Sequence, residues 1–161
     1  MPTRFRIREV RLPREVVGAI LEAHHADPES ERCGVLLGRT VGERVEVDTL
    51  RLVENAHPTP AAAFRLDAAA LLRASADARE RGLEVVGTWH SHPRGSAALS
   101  DVDVAGLADA SLSPGAGGVP ERRPHVFVVS GSGAGRAVVL RAFASPDAGE
   151  VRVVAAKPPR A

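Results

Sequence analysis

One apolar run in the sequence leads without a break into two closely spaced histidines. Residues 83–89 have the short, bounded pattern of a buried strand, and His90-Ser91-His92-Pro93 follows directly. A strand repeats its side-chain direction every two residues, so His90 and His92 are expected to project from one face. The fold must therefore place two imidazoles side by side where a core strand ends, and we expect Pro93 to end it.

The remaining sequence predicts a mixture of helices and short strands. Two segments carry apolar residues at helical spacing, and a third helix is expected to open at Ser100. Gly82 is expected to cap the second helix at its C-terminus. The helical segments are residues 14–25 and 67–81, and the further strands are residues 4–11, 33–38, 45–53, 126–130, 137–143 and 151–155. Residues 55–63 and the Gly/Pro-rich residues 113–124 are predicted to be loops.

These elements predict a single domain of mixed α/β type (α+β) at residues 1–156, followed by a frayed tail at residues 157–161. A chain of 161 residues is about the size of one domain. Aromatic residues are scarce, with four Phe, one Trp and no Tyr, so Val, Leu and Ala are expected to build the core.

Composition argues against several classes of partner. Lys and Arg number 21 against 20 Asp and Glu, and this balance predicts no nucleic-acid partner. The N-terminal segment has no signal-peptide pattern, and no run approaches the roughly 20 apolar residues that span a membrane. A single cysteine cannot form an intramolecular disulfide, which fits a reducing compartment. We therefore expect a soluble cytoplasmic protein, either a monomer or a homodimer.

Asp103 extends the two histidines to the pattern H-x-H-x7-S-x-x-D. Neutral imidazole and carboxylate are ligands that Zn²⁺ accepts readily, and three protein ligands leave a tetrahedral position open for water. Zinc lowers the pKa of such a water towards ~7, which makes a nucleophile at neutral pH. The pattern predicts one catalytic zinc ion per chain, bound by His90, His92 and Asp103.

Two assignments stay open when only the residues are considered. Ser100 and Asp103 also have the spacing of a helix capping box, and capping is compatible with a catalytic hydroxyl at Ser100. A carboxylate at the edge of a core strand can serve as general base and then acid. Both Glu29 and Glu31 precede the strand at residues 33–38, and either can instead be a solvated surface acid.

Together these residues resemble the JAMM (MPN+) metalloproteases, whose motif is an upstream Glu followed by H-S/T-H-P-x6-S-x-x-D. The Glu of that family usually stands two residues before a Cys-Gly that opens an apolar strand. Glu31 stands in this position before Cys33-Gly34, so the resemblance selects Glu31 over Glu29. The similarity extends over roughly residues 5–145.

The resemblance implies an MPN/cytidine-deaminase-like domain, with a central curved, mostly antiparallel β-sheet flanked by about three helices. It implies that His90, His92 and Asp103 bind zinc, that Glu31 is the general acid/base, and that Ser100 donates to the oxyanion. The implied activity is a metallopeptidase that cleaves after the C-terminal glycine of a ubiquitin-like protein, with a β-grasp sulfur carrier expected for a compact prokaryotic member. The alternatives are a non-catalytic MPN scaffold that binds partners and a zinc hydrolase of another small amide.

Other polar and aromatic residues are expected to be structural. Cys33 has no general base placed beside it and is predicted to be a buried core residue, as is Trp89 on the strand face opposite to the histidines. Arg94 and Gly95 are expected to border the substrate channel. The 113–124 loop contains no Cys or His, so no second zinc site is predicted. Four histidines are expected to be structural or exposed: His24, His25, His57 and His125.

Overall fold

The protein combines three helices with nine strands in the part of the chain that the structure describes. The structure is a computed structural model and describes residues 6–110, 112–114, 120–122, 125–133, 135, 137–145 and 147–156. In chain order the elements are β1 (Glu9–Pro13), α1 (Arg14–Ala26), β2 (Cys33–Val41), β3 (Arg44–Val53), α2 (Ala68–Glu80), β4 (Glu84–Ser96), α3 (Asp101–Ala110), β5 (Leu112–Pro114), β6 (Pro120–Arg122), β7 (Val126–Ser132), β8 (Val138–Ala144) and β9 (Gly149–Ala156).

Seven of these strands form a closed barrel in the order β1-β3-β2-β4-β7-β8-β9. β1 is parallel to both β3 and β9, and β4 is parallel to β7, whereas the other neighbours are antiparallel. The predicted mixture of helices and a sheet is confirmed, but the sheet is closed and not an open curved sheet. Closure depends on pairing between β1 and β9, at opposite ends of the described chain, and no local pattern encodes such a contact.

Local signals account for most helix and strand ends. α1 begins directly after Pro13, where proline has no N–H to lose to a helical hydrogen bond. At the start of α2, the Asp67 carboxylate accepts a hydrogen bond from the Ala70 N–H at 3.0 Å. Gly82 follows the helix with φ of 68°, the left-handed conformation that glycine adopts without strain. β1 begins at Glu9, so residues 6–8 of the strand predicted at 4–11 precede it, and residues 4–5 lie outside the described residues.

β4 continues to Ser96, so the prediction that Pro93 ends this strand is wrong. Ser91 pairs with Ser130 of β7 and Ser96 pairs with Ser132, which leaves residues 92–95 opposite a single residue. The strand therefore bulges here, and a bulge tolerates proline because its backbone N–H groups are outside the ladder. The bulge redirects the β4 backbone beside His92.

The predicted loop at residues 113–124 is only partly described. Leu112–Pro114 and Pro120–Arg122 pair as a separate antiparallel two-stranded sheet, so strand structure replaces part of the predicted loop. Residues 115–119 and 123–124 lie outside the described residues, as does the predicted tail at 157–161.

The two faces of β2 and β4 pack against different helices. Leu36, Val86 and Trp89 belong to the largest apolar cluster, which also contains Val16 and Ile20 of α1. On the opposite face, Val35 and Leu37 pack with Ala74 and Ala78 of α2. Small alanine side chains let α2 approach the sheet closely. Across the described residues, no helix has the length and apolar character needed for a membrane crossing.

Candidate metal centre

Two elements supply the three predicted ligands. His90 and His92 lie on β4, and Asp103 lies in the first turn of α3. The period of the strand places both imidazoles on one face, as predicted. His90 is completely buried and Asp103 is buried, whereas His92 is partly exposed. The site therefore opens to solvent on the His92 side.

The ligand atoms of these three residues form an equilateral triangle. His90 Nε2 is 3.2 Å from His92 Nε2, and each of these atoms is 3.2 Å from Asp103 Oδ2. Zinc bonds to nitrogen of about 2.0 Å and tetrahedral angles would set ligand atoms about 3.3 Å apart. The three atoms therefore have the separation that a tetrahedral zinc ion requires.

The hydrogen bonds around His92 leave a lone pair directed into this triangle. His92 Nδ1 lies 2.8 Å from the Ser96 carbonyl oxygen, and a carbonyl can only accept. Neutral His92 therefore carries its proton on Nδ1, and Nε2 presents a lone pair to the Asp103 carboxylate. Two acceptor atoms 3.2 Å apart, His92 Nε2 and Asp103 Oδ2, need a positive charge between them, either a proton or a metal ion.

The pKa values of the three residues respond to this arrangement. Burial lowers the pKa of His90. Burial also works to lower the pKa of His92, but the hydrogen bonds to Asp103 and to the Ser96 carbonyl outweigh it and raise that pKa. For Asp103, burial works to raise the pKa, yet the contacts of its carboxylate with the two histidine rings hold that pKa well below its usual range. The carboxylate stays ionised and attracts a cation.

Glu31 lies against this cluster just before β2. Its Oε1 is 3.7 Å from His92 Nε2, and its Oε2 is buried without a hydrogen-bond partner among the residues described. Burial raises the pKa of Glu31 to about 7, and the nearby Asp103 carboxylate adds to the rise, with His92 opposing it. A carboxyl group with this pKa can both accept and release a proton near neutral pH.

Glu29, the other candidate, lies at the surface. Its side chain is 72% exposed and pairs with Arg94 at 2.6 Å. The structure therefore brings Glu31, not Glu29, to the ligand cluster.

Ser100 forms the predicted capping box with Asp103. The Asp103 N–H donates to Ser100 Oγ at 3.1 Å, and the Ser100 N–H donates to Asp103 Oδ2 at 3.0 Å. The second of these bonds orients the carboxylate whose Oδ2 faces the histidines. Ser100 Oγ accepts the capping bond and keeps its own hydrogen free to donate elsewhere.

A cleft of about 330 Å³ opens beside the ligands. Glu31, Ser100 and the ligand His92 all line this cleft. Arg94 and Gly95, which were predicted to border a substrate channel, line it as well. Its lining residues are Glu29, Glu31, Ala61, Ala62, His92, Pro93, Arg94, Gly95 and Ser100. A larger groove of about 450 Å³ lies between β3 and α2 and contains none of the predicted site residues. The smaller cleft is therefore the candidate site, because it contains the predicted ligand and acid/base residues and the larger groove does not.

The residues predicted to be structural are not part of the ligand cluster. Cys33 is buried, and burial raises the pKa of its thiol to about 12, which keeps it protonated. Trp89 is buried in the core, where its indole N–H donates to Ser130 Oγ at 3.0 Å. His24 Nδ1 contacts the same hydroxyl at 2.8 Å, and burial lowers the pKa of His24.

Four residues around the centre were not predicted. Phe64 stacks on the His90 ring with 4.2 Å between centroids, and Ser96 contributes the carbonyl that fixes His92. Asn55 and Ser91 bond to the backbone beside Glu31. Asn55 carried a usable signal, since Asn in a Pro-bearing loop favours side-chain-to-backbone turns, and Ser91 stands at the S/T position of the H-S/T-H-P motif. Phe64 and Ser96 act through contacts that form only in the folded chain.

The barrel and the His-His-Asp cluster beside a buried glutamate define a domain able to hold a metal ion. Residues 13–143 match the family of prokaryotic homologs of the JAB domain, and the chain belongs to this family. The resemblance to the JAMM (MPN+) proteins is thereby confirmed.

The chain is similar to individual relatives in sequence and in structure. The chain is 36% identical over 80 residues to a probable TtuB-protein conjugate cleaving protease of Thermus thermophilus, and that match covers half of this chain and 52% of the relative. Two solution structures share the fold. A protein from Desulfitobacterium hafniense has a TM-score of 0.71 and 22% identity, covering 92% of this chain and 94% of its own. A protein from Salinibacter ruber has a TM-score of 0.53 and 27% identity, covering 92% and 91%.

Proposed function

We propose that this protein is a zinc-dependent peptidase or isopeptidase that hydrolyses the bond after the C-terminal glycine of a ubiquitin-like or sulfur-carrier protein. The observation that carries the proposal is the 3.2 Å triangle of ligand atoms beside the buried carboxylate of Glu31. The Thermus relative, named for cleaving protein conjugates, supports a conjugate as substrate. Family membership supports a hydrolase.

In this proposal His90, His92 and Asp103 hold the zinc ion. When bound, zinc supplies Lewis acidity, which lowers the pKa of a water and polarises a carbonyl. The fit of the residues rests on their donor set and on the spacing of their ligand atoms, and the His92 side of the cluster faces the cleft.

Glu31 would move the proton. It accepts a proton from the water that attacks the scissile carbonyl carbon and returns it to the amine nitrogen as the C–N bond breaks. Burial raises the pKa of this carboxyl group above its usual value, which favours both transfers near neutral pH. Ser100 would donate its hydroxyl hydrogen to the oxyanion that forms at the carbonyl, and one such donor contributes about 3 kcal/mol.

The test combines metal analysis with cleavage of a defined substrate. The purified protein should hold one zinc per chain, and His90→Ala should lose it. The zinc-loaded protein should cleave a β-grasp carrier fused through its C-terminal Gly-Gly, whereas a carrier whose last two residues are Ala serves as the control. Glu31→Gln should keep the zinc and lose turnover. Absence of zinc binding would refute the proposal, and turnover that survives in Glu31→Gln would refute the assigned role of that residue.

A further inference from the structure

The segment that carries Glu31 lies outside regular secondary structure, yet its backbone is held on two sides. Glu31 and Arg32 precede the first residue of β2. Four hydrogen bonds of 2.8–2.9 Å nevertheless hold the two residues. Two of these bonds use side chains, those of Asn55 and Ser91. A backbone segment without ladder pairing depends on such bonds to keep one conformation.

One pair of bonds comes from the loop formed by residues 55–65, here called the site loop. The Glu31 N–H donates to the Pro60 carbonyl oxygen at 2.8 Å. The Asn55 side-chain amide donates to the Glu31 carbonyl oxygen, also at 2.8 Å. Both main-chain polar groups of Glu31 are therefore fixed to the site loop.

The other pair comes from β4. The Arg32 N–H donates to Ser91 Oγ at 2.8 Å, and the Ser91 N–H donates to the Arg32 carbonyl oxygen at 2.9 Å. Ser91 is completely buried and lies between the two histidines in the sequence. Its hydroxyl therefore ties the acid/base segment to the strand that carries the proposed ligands.

Asn55 also closes the site loop on itself. Besides its bond to Glu31, Nδ2 donates to the Ala63 carbonyl oxygen at 2.9 Å. Oδ1 accepts from the His57 N–H and from the Arg65 N–H, both at 3.0 Å. An Asn amide has two donor hydrogens and two acceptor lone pairs, and all four are used here. No other side chain of the twenty offers this set at the same length.

We infer that Asn55 and Ser91 are positioning residues for Glu31. This inference rests on the proposed role of Glu31 as acid/base. Glu31 Oε1 is 3.7 Å from His92 Nε2, so a backbone shift of about 1 Å would move the carboxylate out of reach of the reacting atoms. Asn55 and Ser91 fix that backbone from opposite sides and are not among the residues that line the cleft, so they act through Glu31.

The first test needs neither metal nor substrate. Amide hydrogen exchange is measured on the metal-free protein for the wild type, Asn55→Ala, Ser91→Ala and the control Thr59→Ala, whose side chain is exposed on the same loop. We expect exchange at Glu31 to speed up at least ~10-fold in Asn55→Ala, and exchange at Arg32 likewise in Ser91→Ala. Thr59→Ala should exchange like the wild type. Unchanged exchange at both amides would overturn the inference.

The second test separates positioning from a general effect on the fold. In the zinc-loaded protein, Asn55→Ala should lower kcat by about 10- to 100-fold and change KM by less than about 3-fold. Ser91→Thr, which keeps the hydroxyl, should restore most of the kcat that Ser91→Ala loses. On the residual single-turnover rate of Glu31→Gln, adding Asn55→Ala should cost less than about 2-fold more, because both act through one group. Additive losses, or a loss confined to KM, would contradict the inference.

The two proposals fail in different ways. A wild-type protein that binds no zinc or cleaves no carrier refutes the proposed function, and hydrogen exchange still decides whether Asn55 and Ser91 hold the Glu31 segment. A cleaving protein in which Glu31→Gln is inactive and Asn55→Ala keeps its kcat leaves the function standing and refutes the positioning role.

Discussion

Replacing Ser100 separates two roles that one hydroxyl group serves. Ser100→Ala removes the Oγ that accepts from the Asp103 N–H at 3.1 Å, and with it the hydroxyl proposed to stabilise the oxyanion. The bond from the Ser100 N–H to Asp103 Oδ2 at 3.0 Å uses only the backbone and is retained. Asp103 therefore keeps its orientation, and the variant should still bind zinc.

The two losses have different sizes. Removing a serine N-cap costs about 1 kcal/mol, which lowers the Tm of a domain of this size by about 2–4 °C. Removing one oxyanion donor costs about 3 kcal/mol, which lowers kcat by about 10²-fold. Ser100→Gly distinguishes the two effects, because glycine at an N-cap costs only a few tenths of a kcal/mol yet has no hydroxyl.

Thermal unfolding and carrier cleavage are therefore measured on both variants, with zinc content checked in each. Ser100→Ala and Ser100→Gly should lose kcat equally, and only Ser100→Ala should show the full drop in Tm. If the glycine variant keeps most of its kcat, the hydroxyl serves as a helix cap and has no part in catalysis.

Three further predictions follow from packing and burial. Phe64→Ala removes the ring stacked on His90 and should weaken zinc affinity about 10-fold in a chelator competition, whereas Phe64→Leu should lose less. Gly87→Ala would place a Cβ 2.1 Å from the Val126 carbonyl oxygen and should cost more than about 3 kcal/mol in urea unfolding, while Gly18→Ala, on an open face of α1, should stabilise by up to about 1 kcal/mol. Burial lowers the pKa of His125 to about 4 from an unfolded value near 6.5, so stability is full above pH 6.5 and falls as pH drops towards 4. His125→Phe should lack this loss, up to about 3 kcal/mol, when urea unfolding is repeated across that pH range.

The elements with a clear period were predictable from the sequence. The run before His90 indicated a core strand, and its two-residue period placed both imidazoles on one face, as the structure has them. The spacing of Ser100 and Asp103 likewise predicted the capping box. These features depend on residues that lie close together in the sequence, so local sequence patterns can predict them.

Features that depend on distant contacts were not predictable from the residues alone. Closure of the barrel requires β1 to lie between β3 and β9, and nothing in the five residues of β1 specifies either neighbour. Local sequence could not choose between Glu29 and Glu31 because burial in the folded chain distinguishes them. The misplaced end at Pro93 has a similar cause, since the bulge that tolerates it forms against β7.

In a zinc-loaded protein, the convergence of three ligand atoms would also link the stability of the barrel to the supply of metal. His90 and His92 lie on β4, between β2 and β7, and Asp103 lies on α3, so a bound cation acts as a non-covalent cross-link between the sheet and that helix. A ligand that binds only the folded state stabilises it by about 2.7 kcal/mol at a hundredfold excess over its Kd. Zinc availability would then govern the lifetime of the folded protein in the cell as well as its rate, and metal depletion would lower its abundance.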